Sequence, residues 1–280
     1  MLESLDNIFA VIVLYKVQLH ESKTFLSLQT AIKNHTGCLD VLLYNNSPEI
    51  NIQTTAVVAS NMSLRVINDN ENSGVSRAYN MAYQFAEKAS KNWLLLLDQD
   101  CELAINLFTA FFSERKIDDR DTKLYFPVIK TGQYVLSPGR YIPYRSFIHK
   151  SALNVYVDFK KLAVINCGSF IALPVFKLAG GFNEQVALDF SDVSFFRRVK
   201  KICTNAFVLN AICNHDFSGS DFSNIESTKN RFKIFLKNAR AFGNEEGVSK
   251  LLLLVTVFVR TINLTKRFRT LYFLNLLFFK

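Results

Sequence analysis

Trp93-Leu94-Leu95-Leu96-Leu97 is an unbroken apolar run that stops abruptly at Asp98-Gln99-Asp100. A strand with water on one face alternates, so a short continuous run implies a strand covered on both faces, as in a parallel sheet between helices. Ligands of open α/β sheets gather at the carboxyl ends of such strands, which is where Asp98 and Asp100 fall. Two carboxylates this close are costly to leave unpaired. Hard divalent cations with phosphate oxygens are their natural partners, and a solvated acidic turn is the plainer alternative.

The rest of the chain repeats the pattern. Ile8 to Tyr15 is another near-continuous apolar run, Asp40 to Tyr44 is a second strand closed by the turn signal Asn45-Asn46-Ser47-Pro48, and Leu64 to Ile67 is a third. Phe25, Leu26, Leu28 and Ile32 fall at helical spacing, and Ala78, Met81, Ala82 and Phe85 mark one face of a helix over about 75–89. Strands alternating with helices in this way predict an α/β fold with a doubly wound, mainly parallel sheet. Leu103 to Arg115 reads as a helix and Leu124 to Ile129 as a fifth strand. Periodicity then fades over 131–160, a stretch rich in aromatic rings with Gly132, Pro138, Gly139 and Pro143, which reads as a substrate-facing excursion. Strand character returns between Ala163 and Ala172, and Pro174 starts a short helix closed by Gly180-Gly181. A helix over Asp189 to Lys201 opens on acid and closes on Arg197, Arg198, Lys200 and Lys201, as the helix dipole prefers.

Charge narrows the partners. The formal net charge is +9, much of it late in the chain, so an anionic partner is expected. No basic groove motif or recognised module points to nucleic acid, which leaves a phosphorylated substrate and a membrane surface. Lys229 to Ala241 is basic and amphipathic, and Leu251–Val259 and Leu271–Phe279 are apolar runs separated by Arg260, Lys266, Arg267 and Arg269. Neither run reaches the roughly 20 residues that span a bilayer. The tail is therefore expected to lie in an anionic membrane interface, or to pack as a helical hairpin on the main domain. No signal peptide opens the sequence, so the expected location is cytoplasmic, at the inner face of the plasma membrane. Cys38, Cys101, Cys167, Cys203 and Cys213 are odd in number and form no CxxC pair. They read as reduced structural thiols with no zinc site of their own.

Several segments stand in an order that resembles the family-2 glycosyltransferases. They are the strand ending in Tyr15, Asn45-Asn46-Ser47, Asn72-Ser73-Gly74-Val75-Ser76-Arg77-Ala78-Tyr79-Asn80 and Asp98-Gln99-Asp100, followed by Asn166-Cys167-Gly168-Ser169, Gly180-Gly181-Phe182-Asn183-Glu184, the stretch Leu188 to Arg198, and Asn214-His215-Asp216-Phe217-Ser218-Gly219. The likeness covers about 8–220, and the Asp-Gln-Asp form is similar to the rhamnosyltransferase branch that builds bacterial surface polysaccharides.

The resemblance implies a GT-A domain over 1–222 with a helical region over 223–280. It also implies an inverting, metal-dependent transfer of a sugar, L-rhamnose or a hexose, from a dTDP or UDP donor to a saccharide or lipid-linked saccharide. In that light Asp100 is the direct ligand of Mn²⁺ or Mg²⁺, Asp98 serves the ribose or the metal, and His215 is a further ligand or a phosphate contact. Tyr15, Asn45, Asn72, Gly74, Arg77 and Asn80 belong to the nucleotide site. Asp192 matches the general base, with Asp189, one helical turn earlier, as orienting group or alternative base, and Arg198 holds Asp192 or a phosphate. Both aspartates are equally good helix caps. Three departures stand out: Asn45 and Ser194 where the family carries acids, and Lys16 where it carries Asn. They leave open a non-catalytic nucleotide-sugar-binding or scaffold subunit.

Overall fold

The apolar runs form the middle of one sheet. The computed structural model describes residues 4–47, 49–52, 58–118, 120–142, 145–147, 153–215 and 224–278. β1 (Ile8–Leu14) is buried along its whole length. α1 (Lys23–Ile32) carries the chain to β2 (Leu39–Asn45), and β3 (Met62–Asn68) lies parallel beside it. α2 (Val75–Lys88) then crosses back to place β4 (Trp93–Asp98) on the other side of β1. Val13 pairs with Asp98, Leu14 with Asn45, and Asn45 with Asn68, so all four strands finish within about one row. The reversal of direction around β1 leaves a crevice above β1 and β4, the usual ligand position in such sheets.

Beyond β4, antiparallel strands enter. β5 (Cys101–Glu102), α3 (Leu107–Ile117), β6 (Leu124–Thr131) and β7 (Tyr134–Ser137) come first. The 131–160 stretch is mostly strand rather than loop: β8 (Gly139–Ile142) and β9 (Arg145–Phe147) belong to a small second sheet, and β10 (Val155–Asp158) edges the main one. Residues 143–144 and 148–152 of that stretch lie outside the described residues. β11 (Leu162–Ala163) completes the small sheet, and β12 (Ser169–Ala172) inserts antiparallel between β4 and β6. α4 (Leu173–Leu178) and α5 (Ser191–Val199) follow, then β13 (Asn205–His215), giving the main order β10-β13-β6-β12-β4-β1-β2-β3. Its last pairs, Asn214 with Glu102 and His215 with Cys101, bring the end of β13 to the end of β4.

The C-terminal helices are α6 (Ile225–Gly243), α7 (Lys250–Phe268) and α8 (Tyr272–Phe278). They build a second core from Phe232, Phe235, Phe242, Leu253, Val257 and Phe273, and they share it with Val186 and Phe190 ahead of α5. The Phe190 ring stacks on Phe242 at 5.4 Å between centroids. The helical hairpin therefore packs on the main domain. The expected boundary between 222 and 223 falls outside the described residues. Among the described residues no helix is long and apolar enough to cross a membrane.

Candidate active site

The floor of the crevice is the turn after β4. Thr24 and Ser22 at the start of α1 fasten it: the Thr24 hydroxyl donates to the carbonyls of Asp98 and Cys101 and accepts from the Cys101 N–H, and the Ser22 hydroxyl donates to the Gln99 carbonyl. The Gln99 side chain accepts from the Tyr15 N–H and so ties the end of β1 to the end of β4. Asp98 receives the Tyr79 hydroxyl at 3.0 Å. His215 closes the group, with Nε2 3.3 Å from Asp100 Oδ1 and 3.7 Å from Asp98 Oδ2. The Asp98 carboxylate and the His215 nitrogen converge, with Asp100 beside the imidazole, and these are donor types that divalent cations take. Cys167 is also present: one donor atom each from Asp98, Cys167 and His215 lie within 4.8 Å of one another.

Beyond the ends of β2 and β3, polar residues brace the loop over 69–74. The Asp69 carboxylate accepts from the Glu71 and Ser73 N–H groups and from the Tyr44 hydroxyl, and these bonds draw its pKa below the usual carboxylate value against the opposing effect of burial. Asn72 takes a left-handed conformation in that loop, with φ 51°. Gly74, at φ +92°, touches Ala187 so closely that a Cβ would strike the Ala187 carbonyl. The same carbonyl accepts the Val75 N–H at 2.8 Å, and the Ser76 hydroxyl donates to Val186 O at 2.6 Å. Arg77 stays at the surface beside Ser73 and Glu71. Asn45 is wholly buried: its amide donates to Ile50 O and Asn68 Oδ1, and its oxygen accepts the Ser47 N–H. Asn80 grips the Gly180–Glu184 turn, accepting from Phe182 N–H and donating to Phe182 O and Glu184. Asn45 and Asn80 thus act as braces of the site, a role the resemblance does not imply.

The opposite wall is α5. Asp192 lies in its first turn, half-buried, and accepts the Val193 N–H at 2.7 Å. Burial, helped by the charges of Asp189 and Asp98, outweighs that bond and pushes its pKa up to about 6. A carboxylate poised there is a competent base near neutral pH. Asp189 is not one helical turn earlier on the same helix. α5 starts at Ser191, because Phe190 sits at φ +65° and turns the chain. Asp189 instead points at Arg231 of α6 and Arg260 of α7, a pairing that leaves its side chain 11% exposed. Arg198 donates through Nη1 to the carbonyls of Ala179 and Gly181 at 2.6 and 2.7 Å and so braces that turn. At Ser194, where the sequence drops an acid, a carboxylate arrives from elsewhere: the Ser194 hydroxyl donates to Glu245, which also pairs with Arg197 at 3.0 Å.

No family model matches the chain. The dTDP-rhamnosyl transferase RfbF of Shigella flexneri is 25% identical over 214 residues, which cover 73% of this chain and 65% of that protein. Among solved structures, S. aureus TarS aligns with a TM-score of 0.53 at 15% identity, covering 88% of this chain and 41% of that one. TarS 1-349 in complex with UDP gives the same score and identity over 68% of its chain, and the complex with UDP-GlcNAc gives 0.53 at 14% over 69%. The fold is similar to that of TarS. The chain spans just under two thirds of the curated relative it matches.

Within this fold the structure gathers Tyr15, Asp98, Asp100 and His215 on one floor and sets Asp192 close enough for Asp98 to raise it. Asp216 to Gly219 of the histidine motif lie outside the described residues. Sequence reasoning missed Tyr79, Asp69 and Glu245. Tyr79 alone carried a signal: it faces the core one helical turn before Tyr83, on the apolar face of α2.

Proposed function

We propose that the chain is an inverting glycosyltransferase that moves a sugar from a dTDP or UDP donor to a saccharide or lipid-linked saccharide, with L-rhamnose as the favoured sugar. The observation that carries this is the convergence of Asp98, Asp100 and His215 at the strand ends, facing a carboxylate with a raised pKa. The likeness to a dTDP-rhamnosyl transferase supports the sugar, and the UDP and UDP-GlcNAc complexes of TarS support a nucleoside-diphosphate donor.

Asp100 and His215, with Asp98, would hold Mn²⁺ or Mg²⁺, and such an ion supplies Lewis-acid neutralisation of a leaving diphosphate. Asp192 accepts the proton of the acceptor hydroxyl as it attacks the anomeric carbon. With Asp192 as the base, the transfer is a single displacement, hence inversion. Asp189, paired with Arg231 and Arg260, orients the wall. The same reading takes the exposed α7 face of Leu251, Leu254, Val255 and Phe258, flanked by Lys250, Lys266 and Arg267, as a surface for an anionic bilayer.

A thermal-shift series with dTDP, UDP and their sugars, with and without Mn²⁺, tests the donor. A ligand at a hundredfold excess over its Kd stabilises by about 2.7 kcal/mol. One nucleotide class should raise Tm, with the Mn²⁺ increment lost in Asp100→Ala. A flat response to every nucleotide sinks the proposal.

A further inference from the structure

The sheet brings together three cysteines that the sequence scatters. Cys101, Cys167 and Cys213 are all buried free thiols, and Cys101 lies within hydrogen-bonding reach of both others. Two of them are explained by packing under the β13 end, where Cys213 accepts the Ala104 N–H at 3.3 Å. Cys167 is different. The Gly168 N–H after it bonds Leu96 O at 2.8 Å, which fixes Cys167 against the end of β4. Its sulfur therefore faces the Asp98 carboxylate and His215 rather than apolar side chains alone, with all three donor atoms inside 4.8 Å. Donors bound to one ion at roughly 2.0–2.3 Å stand up to about 4.5 Å apart, so this spacing is that of a coordination shell with slight adjustment.

We propose that Cys167 is a ligand of the cation site, with Asp98 and His215, and that the resulting oxygen, nitrogen and sulfur set favours borderline ions such as Co²⁺ or Zn²⁺ over Mg²⁺. This rests on the cation-assisted reading above and adds a donor to it. Thiolate selects softer ions, whereas Mg²⁺ prefers oxygen and keeps its water. If a cation binds there, the thiol proton leaves to solvent as the sulfur–metal bond forms.

The test is titration of the full chain with Co²⁺ alone, without nucleotide, under reducing-free anaerobic conditions. The expected result is a thiolate-to-cobalt charge-transfer band in the near ultraviolet that saturates, is displaced by Zn²⁺, and resists excess Mg²⁺. Cys167→Ser should abolish the band and weaken Co²⁺ by at least about tenfold, while Cys213→Ser keeps it. A band that survives Cys167→Ser overturns the proposal. So does Co²⁺ binding in the wild type that shows no charge-transfer band yet weakens in Asp98→Asn; in that case the cation site stands and only the sulfur is excluded. Failure of Co²⁺, Mn²⁺ and Mg²⁺ alike to bind removes both readings.

Discussion

Asp192 carries a burial cost that the proposed role as base would explain. Its pKa stands at about 6 in the fold against 3.8 as a free carboxyl, chiefly through desolvation. The folded chain thus keeps a proton that the unfolded chain releases, so stability falls as pH rises between these values and the penalty is complete above about 6. Asp192→Asn should therefore lower turnover by about 10²- to 10⁴-fold while stabilising the metal-free protein at pH 8 by up to about 3 kcal/mol. Denaturant midpoints at pH 8 and pH 4 check this, since the gain must vanish at the lower pH. In the wild type, kcat/KM should drop about tenfold per pH unit below 6. Gly74 is the second sensitive residue. Its φ of +92° and the Ala187 carbonyl leave no room for a Cβ, so Gly74→Ala should cost roughly 1–3 kcal/mol, read as a lowered urea midpoint, and should weaken nucleotide binding with it.

Among elements, α5 and the two long C-terminal helices act as a set. Asp189 is nearly buried and answered by one arginine from each of α6 and α7. Removing both partners strands a buried charge, so Arg231→Met with Arg260→Met should destabilise by about 3–5 kcal/mol. Adding Asp189→Asn to that pair should recover most of the loss; thermal unfolding of the double and triple variants measures the difference, and no recovery would show that the arginines act by packing alone. This arrangement is not legible in the sequence. The first four strands were, because continuous apolar runs mark strands covered on both faces. β13 was overlooked although it is the longest strand at 11 residues. It opens as a run, Ala206 to Leu209, then alternates, with Ala211 and Cys213 inward and Asn210, Ile212 and Asn214 outward. Neither template fits its whole length. Asp98, Asp100 and His215 were legible as chemistry, but Glu245 standing in beside Ser194 depends on a contact across 51 residues. No local pattern encodes such a contact.

For the whole molecule, the charge and the α7 face give one expectation. The +9 chain presents Leu251, Leu254 and Phe258 at 70%, 61% and 50% exposure. Flotation with vesicles containing anionic lipid should recover the protein at low salt and release it as salt rises. Leu254→Asp with Phe258→Asp should abolish flotation without changing nucleotide binding, and binding that survives both changes would remove this face as the contact. A last consequence concerns how such a molecule can be recombined. Residues 186–189 touch three parts at once: Val186 lies in the helical core, Ala187 closes on Gly74 and Val75, and Asp189 meets two arginines. A hybrid that takes its donor loop from one relative and its tail from another must splice through this short junction. Graftable modules would have to include the junction and all its neighbours, so the chain exchanges as one unit even though its two cores look separable.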